Sequence, residues 1–185
     1  KGNKGGFFLD YKPVTKKEAM RVVESLEFEP TVFFFDRVNP ATVAMAEHFK
    51  ERKTMVYFEP SSMKGNWTQF EKCVVGSDIV KFSNQRLPDV SFADKLAASM
   101  EFTYVNQTGE ALSFLEFNLF GNGWVVIPAI PNLDVVDTSG AGDWTTATLL
   151  DEMVNADITE LKELTVTMVK ELLEKAQVKG AESCS

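Results

Sequence analysis

Thr31-Val32-Phe33-Phe34-Phe35-Asp36 is the stretch from which the fold can be read. It is an unbroken apolar run of β-branched and aromatic residues closed by an acid. A strand with one wet face alternates polar and apolar residues. A run without alternation reads as a strand buried on both faces, as in a parallel sheet covered by helices. Upstream, Thr15 stands as an N-cap with Glu18 three residues on, a capping-box pattern that opens a helix running to about Leu26. Downstream, the spacing predicts a helix over Pro40 to Arg52, a strand over Thr54 to Phe58, a helix over Trp67 to Val75 and a strand over Asp78 to Phe82. A helix over Ser91 to Met100 and a strand over Phe102 to Val105 continue the rhythm. Strands alternating with helices across short connections indicate a doubly wound, mostly parallel α/β sheet flanked by helices.

The pattern changes after Thr108-Gly109. Ala111 to Phe117 and Gly123 to Ile127 read as an antiparallel hairpin around the turn at 118–122. Val135-Val136 reads as a short approach strand, followed by a helix from about Gly140 to Asn155. A last helix is expected over Ile158 to Ala181, capped by Asp157 or Thr159, with Leu161, Leu164, Met168 and Leu172 turned to the core.

Composition narrows the function. The chain has 185 residues and a formal net charge of -8, which argues against nucleic-acid or anionic-membrane partners, since both favour a basic face. One histidine, His48, on an amphipathic helix, leaves no material for a histidine-dependent triad or a multi-histidine metal site. Cys73 and Cys184 share no metal-ligand spacing and read as free thiols in a reducing cytoplasm. The apolar stretch Phe7-Phe8-Leu9 is too short for a signal-peptide core, and no run reaches the length of a membrane span, so a cytoplasmic location is expected. Trp67, Trp124 and Trp144 read as packing residues, with Trp144 also placed to shield a neighbouring site from water.

The stretch that carries chemistry is Asp137-Thr138-Ser139-Gly140-Ala141-Gly142-Asp143. Small residues run into a helix, two glycines let the backbone approach a ligand, and the first helical N–H groups lack internal partners. With the helix dipole, they form an anion site suited to a phosphoryl group. A carboxylate at Asp143 sits among donors chosen for anions. It either caps the helix or accepts the proton of a substrate hydroxyl attacking a γ-phosphate. Asp36, at the C-terminal end of an expected strand, lies where ligands gather in open α/β sheets, or else begins a turn with Asn39-Pro40.

The same seven residues resemble the C-terminal signature of the PfkB (ribokinase-like) carbohydrate kinases, Asp-Thr-x-Gly-Ala-Gly-Asp. The resemblance implies that Asp143 is the catalytic base and that the amides of Gly140, Ala141 and Gly142 form an anion hole, with Thr138 and Ser139 beside the nucleotide. It implies ATP with Mg²⁺, a sugar or nucleoside-like small-molecule substrate, and a homodimer, which relatives often form. Ser77-Asp78-Ile79-Val80-Lys81-Phe82-Ser83 is similar to the family's Ala-Asp-Ile-Val-Lys strand, which leads to an Asn-x-x-Glu-like stretch near metal and phosphates. Asn84 matches its start, but Arg86 stands nearby and no Glu follows in place. Tyr57-Phe58-Glu59-Pro60 is similar to a strand ending in Asp-Pro, which makes Glu59 a substrate-binding candidate or a solvated strand end. Val105-Asn106-Gln107-Thr108-Gly109 aligns loosely with the family's nucleotide strand, making Asn106, Thr108 and Gly109 nucleotide contacts. The resemblance covers most of the chain and implies one partial ribokinase-like domain over residues 1–185, without the family's N-terminal third and extreme C-terminus.

Two rivals stand beside the kinase. One is a kinase-fold protein that binds nucleotide or sugar in a regulatory role without catalysis, motivated by the missing Glu after Asn84. The other is a Rossmann-type oxidoreductase, disfavoured because the glycine motif lies late and lacks a third glycine and a ribose-binding acid.

Overall fold

The computed structural model describes residues 14–61, 66–83, 98–107, 110–128, 130 and 134–185. Helix α1 (Lys16–Glu24) begins on Thr15, whose side chain and backbone exchange hydrogen bonds with Glu18 as the capping box requires. Strand β1 (Val32–Phe35) leads to α2 (Pro40–Glu51), which Asn39 caps with Pro40 in the first turn. Strand β2 (Met55–Phe58), helix α3 (Trp67–Gly76) and strand β3 (Ile79–Ser83) follow. Strands β4 (Ala98–Gln107), β5 (Glu110–Leu119) and β6 (Trp124–Ile127) come next, then helices α4 (Ala141–Asn155) and α5 (Val166–Glu182).

Among the described residues, the strands form one sheet in sequential order from β1 to β6. The first four are parallel; β5 pairs antiparallel with β4, and β6 antiparallel with β5. The parallel sheet, the flanking helices and the hairpin agree with the fold class expected from sequence. Side-chain alternation splits the core in two. Val56, Phe58, Val80 and Phe82 face the α2 and α3 side, with Phe35, Phe70 and Val74. Met55, Tyr57 and Ile79 face the α4 and α5 side, with Leu149, Met153 and Leu173. Every residue of β2 is buried, as a strand covered on both faces must be.

Several expectations need correction. The run that first indicated a doubly buried strand is the edge of the described sheet: Phe35 is buried, but Phe34 is 44% exposed. Ala98, Ser99 and Met100, expected to end a helix, begin β4 instead, where pairing with β3 and β5 outweighs local helix propensity. The rest of that expected helix lies outside the described residues. Val135-Val136 is not a strand; the Val136 and Asp137 amides donate to the Cys184 carbonyl rather than to a neighbouring strand. The long final helix is broken. Asp157 adopts a left-handed conformation that terminates α4, Leu161–Glu163 make a 3₁₀ turn, and Thr165 caps α5 through the Met168 amide. Leu161, Leu164 and Leu172 are buried, as the apolar spacing indicates. His48 is half-buried on α2, and both cysteines are free and buried. No helix among the described residues is long and apolar enough to cross a membrane.

Candidate active site at the entry of α4

The turn before α4 is built by local hydrogen bonding. The Asp137 carboxylate accepts the Ser139 backbone N–H at 2.9 Å, and the Ala141 N–H donates to the Thr138 carbonyl at 3.3 Å. The Ser139 backbone N–H first, then its hydroxyl, holds the Asp137 carboxyl below its ordinary range. Gly140 is the N-cap, with φ 85°, a left-handed conformation that a residue with a Cβ enters at a cost. Helical pairing resumes with the Trp144 N–H on the Gly140 carbonyl at 2.9 Å. The first turn therefore presents the Gly142 and Asp143 N–H groups with no acceptor among the described residues, whereas the Ala141 N–H is partly engaged. By sequence the three Gly-Ala-Gly amides are equivalent; in the fold the Thr138 carbonyl distinguishes Ala141 from the others.

Asp143 is exposed in that first turn, and Thr138, Ser139 and Gly140 are exposed around it. A carboxylate there complements the positive end of the helix and remains open to solvent and ligand. Trp144 is 58% exposed and is not the packing residue expected; Trp67 is 51% exposed but stacks on buried Phe70 with ring centroids 5.5 Å apart, and Trp124 is partly buried against the α2 and α3 side of the core.

Beneath the turn lies a buried polar cluster of which the sequence singles out only Glu59 as a candidate. Lys81 is 3% exposed. Its ammonium donates to Glu59 Oε1 at 2.6 Å, to the Gly142 carbonyl at 2.7 Å and to the Thr146 hydroxyl oxygen. The Thr146 hydroxyl donates to Glu59 Oε2 at 2.6 Å. Glu59 is thus no solvated strand end: the fold places it against Lys81 and α4. Burial first, and then the Glu59 charge, push the nearby Tyr57 phenol well above its ordinary range. A sequence signal existed for Lys81. It interrupts Ile79-Val80-Lys81-Phe82 at a position whose neighbours are all buried, and a lysine there must find acceptors.

Asp36 lies beside Glu59, because Phe35 pairs with Phe58 in register and the Glu59 N–H donates to the Phe35 carbonyl at 3.0 Å. Its carboxylate pairs with Arg37 at 3.1 Å on the surface. Asn106 lies on β4 opposite Ala111. Asn84, Thr108 and Gly109 lie outside the described residues. No group of three or more His, Cys, Asp or Glu residues among those described is arranged to hold a metal ion.

The three-dimensional comparison decides the fold. An uncharacterized sugar kinase from Pyrococcus horikoshii superposes with a TM-score of 0.59 at 19% identity, over 93% of this chain and 56% of that one. The fold is ribokinase-like. The Methanocaldococcus jannaschii nucleoside kinase, an archaeal member of the ribokinase family, matches with a TM-score of 0.54 at 15% identity, over 90% of this chain and 53% of its own. A microbiome-derived acarbose kinase matches with a TM-score of 0.61 at 14% identity, over 95% and 54%. The chain therefore spans about half the length of these ribokinase-like structures. No family model matches the sequence, and no curated protein matches it.

Proposed function

We propose that this chain carries the phosphoryl-transfer half of a ribokinase-family kinase, moving the γ-phosphoryl of ATP to a hydroxyl of a sugar or nucleoside-like small molecule. One observation carries the reading: the exposed Asp143 carboxylate sits in the first turn of α4 beside the unengaged Gly142 and Asp143 amides. The Asp143 carboxylate takes the hydroxyl proton. The hydroxyl oxygen forms a bond to the γ-phosphorus as the bond to the β-phosphate oxygen breaks, and ADP leaves. The Gly142 and Asp143 N–H groups face charge on the transferred group. Asp36, at the neighbouring strand end, fits a contact to acceptor hydroxyls. Thr138, Ser139, Asn84, Asn106, Thr108 and Gly109 are proposed on the nucleotide side.

The first-turn amides suit a phosphoryl group, but the described acids offer no ready cage for Mg²⁺, and Glu59 is committed to Lys81. A Mg²⁺ ion accompanying ATP would be held chiefly by phosphate oxygens and water, as that ion commonly is, and would neutralise phosphate charge.

Asp143→Asn tests the assignment. General-base assistance contributes about 10²- to 10⁴-fold, so kcat should fall within that range while ATP affinity stays near wild type. Wild-type turnover in the variant would remove Asp143 from the chemistry. The regulatory reading retains one supporting observation, the lack of a Glu in the expected place after Asn84. Tight ATP or sugar binding with no phosphate transfer, across a panel of sugars and nucleosides, would favour it.

A further inference from the structure

Lys81 touches the proposed site from below, through one particular atom. Its ammonium holds the Gly142 carbonyl at 2.7 Å. That carbonyl and the Asp143 N–H belong to the same planar, trans peptide unit and point in opposite directions. A group that grips the oxygen on the core side therefore sets the direction of the N–H on the ligand side. A carbonyl has two lone pairs, so it can accept from Lys81 as well as from the helix. A positive charge on the oxygen also polarises the unit and makes its N–H a better donor.

The ammonium is itself fixed. Glu59 Oε1 lies 2.6 Å away at the end of β2, and Thr146, one helical turn beyond Gly142, bonds both Lys81 and Glu59. Isolated surface pairs hold geometry poorly, but the Lys81 side chain is 4% exposed and that of Glu59 is 20% exposed. Breaking one member would leave a buried charge without its partner. The ammonium also lies close to the α-carbon side of Gly142, where an added Cβ would make an ordinary contact with Lys81 Nζ at 3.6 Å.

We infer that Lys81 is a positioning residue, which through the Gly142 carbonyl aims and strengthens the Asp143 N–H as an anion donor. The inference rests on the proposed phosphoryl-transfer site, but its structural half can be read without turnover. Three variants of the chain test it: Lys81→Met, Thr146→Val, which removes the hydroxyl brace, and Thr146→Ser, which keeps it. Nitrogen-15 spectra should show the Asp143 amide resonance displaced in Lys81→Met and Thr146→Val, near its original place in Thr146→Ser, with β5 and β6 amides unmoved. In phosphate-transfer assays with ATP, a misplacement of about 1 Å can cost about 10²-fold. Lys81→Met should lose kcat on that scale with the KM for ATP within about threefold once turnover is expressed per folded protein, the folded fraction being read from circular dichroism, because loss of folded protein alone would also lower apparent kcat at constant KM. Thr146→Val should show a smaller loss that Thr146→Ser restores. Should Lys81→Met fail to fold, the Thr146 pair decides alone. An unmoved Asp143 resonance in the folded variants, or kcat losses equal for Thr146→Val and Thr146→Ser, would overturn the inference. A wild-type chain that transfers no phosphate would defeat the kinase reading, while the resonance comparison would still decide whether Lys81 orients this peptide.

Discussion

Gly180 on α5 lies against Thr145 on α4 with no room for a side chain between them. A Cβ built on Gly180 would come 2.9 Å from the Ala141 carbonyl and closer still to the Thr145 hydroxyl. That hydroxyl is already bound to the Ala141 carbonyl at 2.8 Å, so it cannot swing aside without losing a partner. The contact is to Ala141 and Thr145, the residues that flank Gly142 and Asp143, and it makes α5 the support on which the entry of α4 rests.

Gly180→Ala should therefore destabilise the protein, although alanine normally favours a helix interior. Overpacking of this kind costs about 1–3 kcal/mol, against a helix-propensity gain of about 1 kcal/mol. Urea unfolding monitored by circular dichroism should show a lower midpoint. A raised midpoint would mean that the helices do not meet at Gly180.

The two glycines of the entry turn should behave differently. Gly140 has φ 85°, so Gly140→Ala should lose about 1–2 kcal/mol through left-handed strain. Gly142 is helical, with an ordinary 3.6 Å approach to Lys81 Nζ as the contact a Cβ would make. Gly142→Ala should leave stability unchanged or raise it by up to about 1 kcal/mol. Paired denaturation curves check the difference, and equal losses would contradict the turn geometry.

Glu59 and Lys81 should show strong coupling. Removing either alone, as Glu59→Gln or Lys81→Met, leaves its partner without compensation, a change that typically costs about 3–5 kcal/mol in a buried pair. Their double variant should lose much less than the sum. A double-mutant cycle in urea measures this directly, and additive losses would place the two groups apart in solution.

Alkaline pH should weaken the fold through Cys73. Burial, followed by the Glu47 charge, raises its thiol from 9.0 to about 11. The folded state therefore holds this proton more tightly than the unfolded chain. The associated stability is complete below about pH 9 and is lost as pH rises from about 9 to about 11. At about 1.4 kcal/mol per unit, the total is roughly 3 kcal/mol. Urea midpoints between pH 8 and pH 11 should fall in the wild type and flatten in Cys73→Ala over that window; identical slopes would exclude the thiol as the cause.

Several elements were legible because their determinants are local. Thr15 and Glu18 lie three residues apart, and the hydrogen bonds of the α1 cap close within that span. The turn expected over 118–122 falls at 120–123, and with its flanking apolar runs it defines the β5–β6 hairpin from neighbouring residues. Ala98 to Met100 misled because a strand's pairing partners are distant in sequence, and helix propensity there was overridden by β3 and β5. The single long C-terminal helix failed at Asp157, whose left-handed backbone is a local stop that apolar periodicity passes over.

By itself, the sequence determined the strand–helix rhythm, the glycine-rich entry to α4 and the place of Asp143 in its first turn, since each depends on residues within a few positions of one another. Only the tertiary structure decided that Glu59, Lys81 and Thr146 meet beneath that turn and that Gly180 supports it. The physical reason is separation along the chain. Lys81 and Gly142 are 61 positions apart and Glu59 and Thr146 are 87 apart, so burial and hydrogen bonding bring them together only after the sheet and α4 have packed.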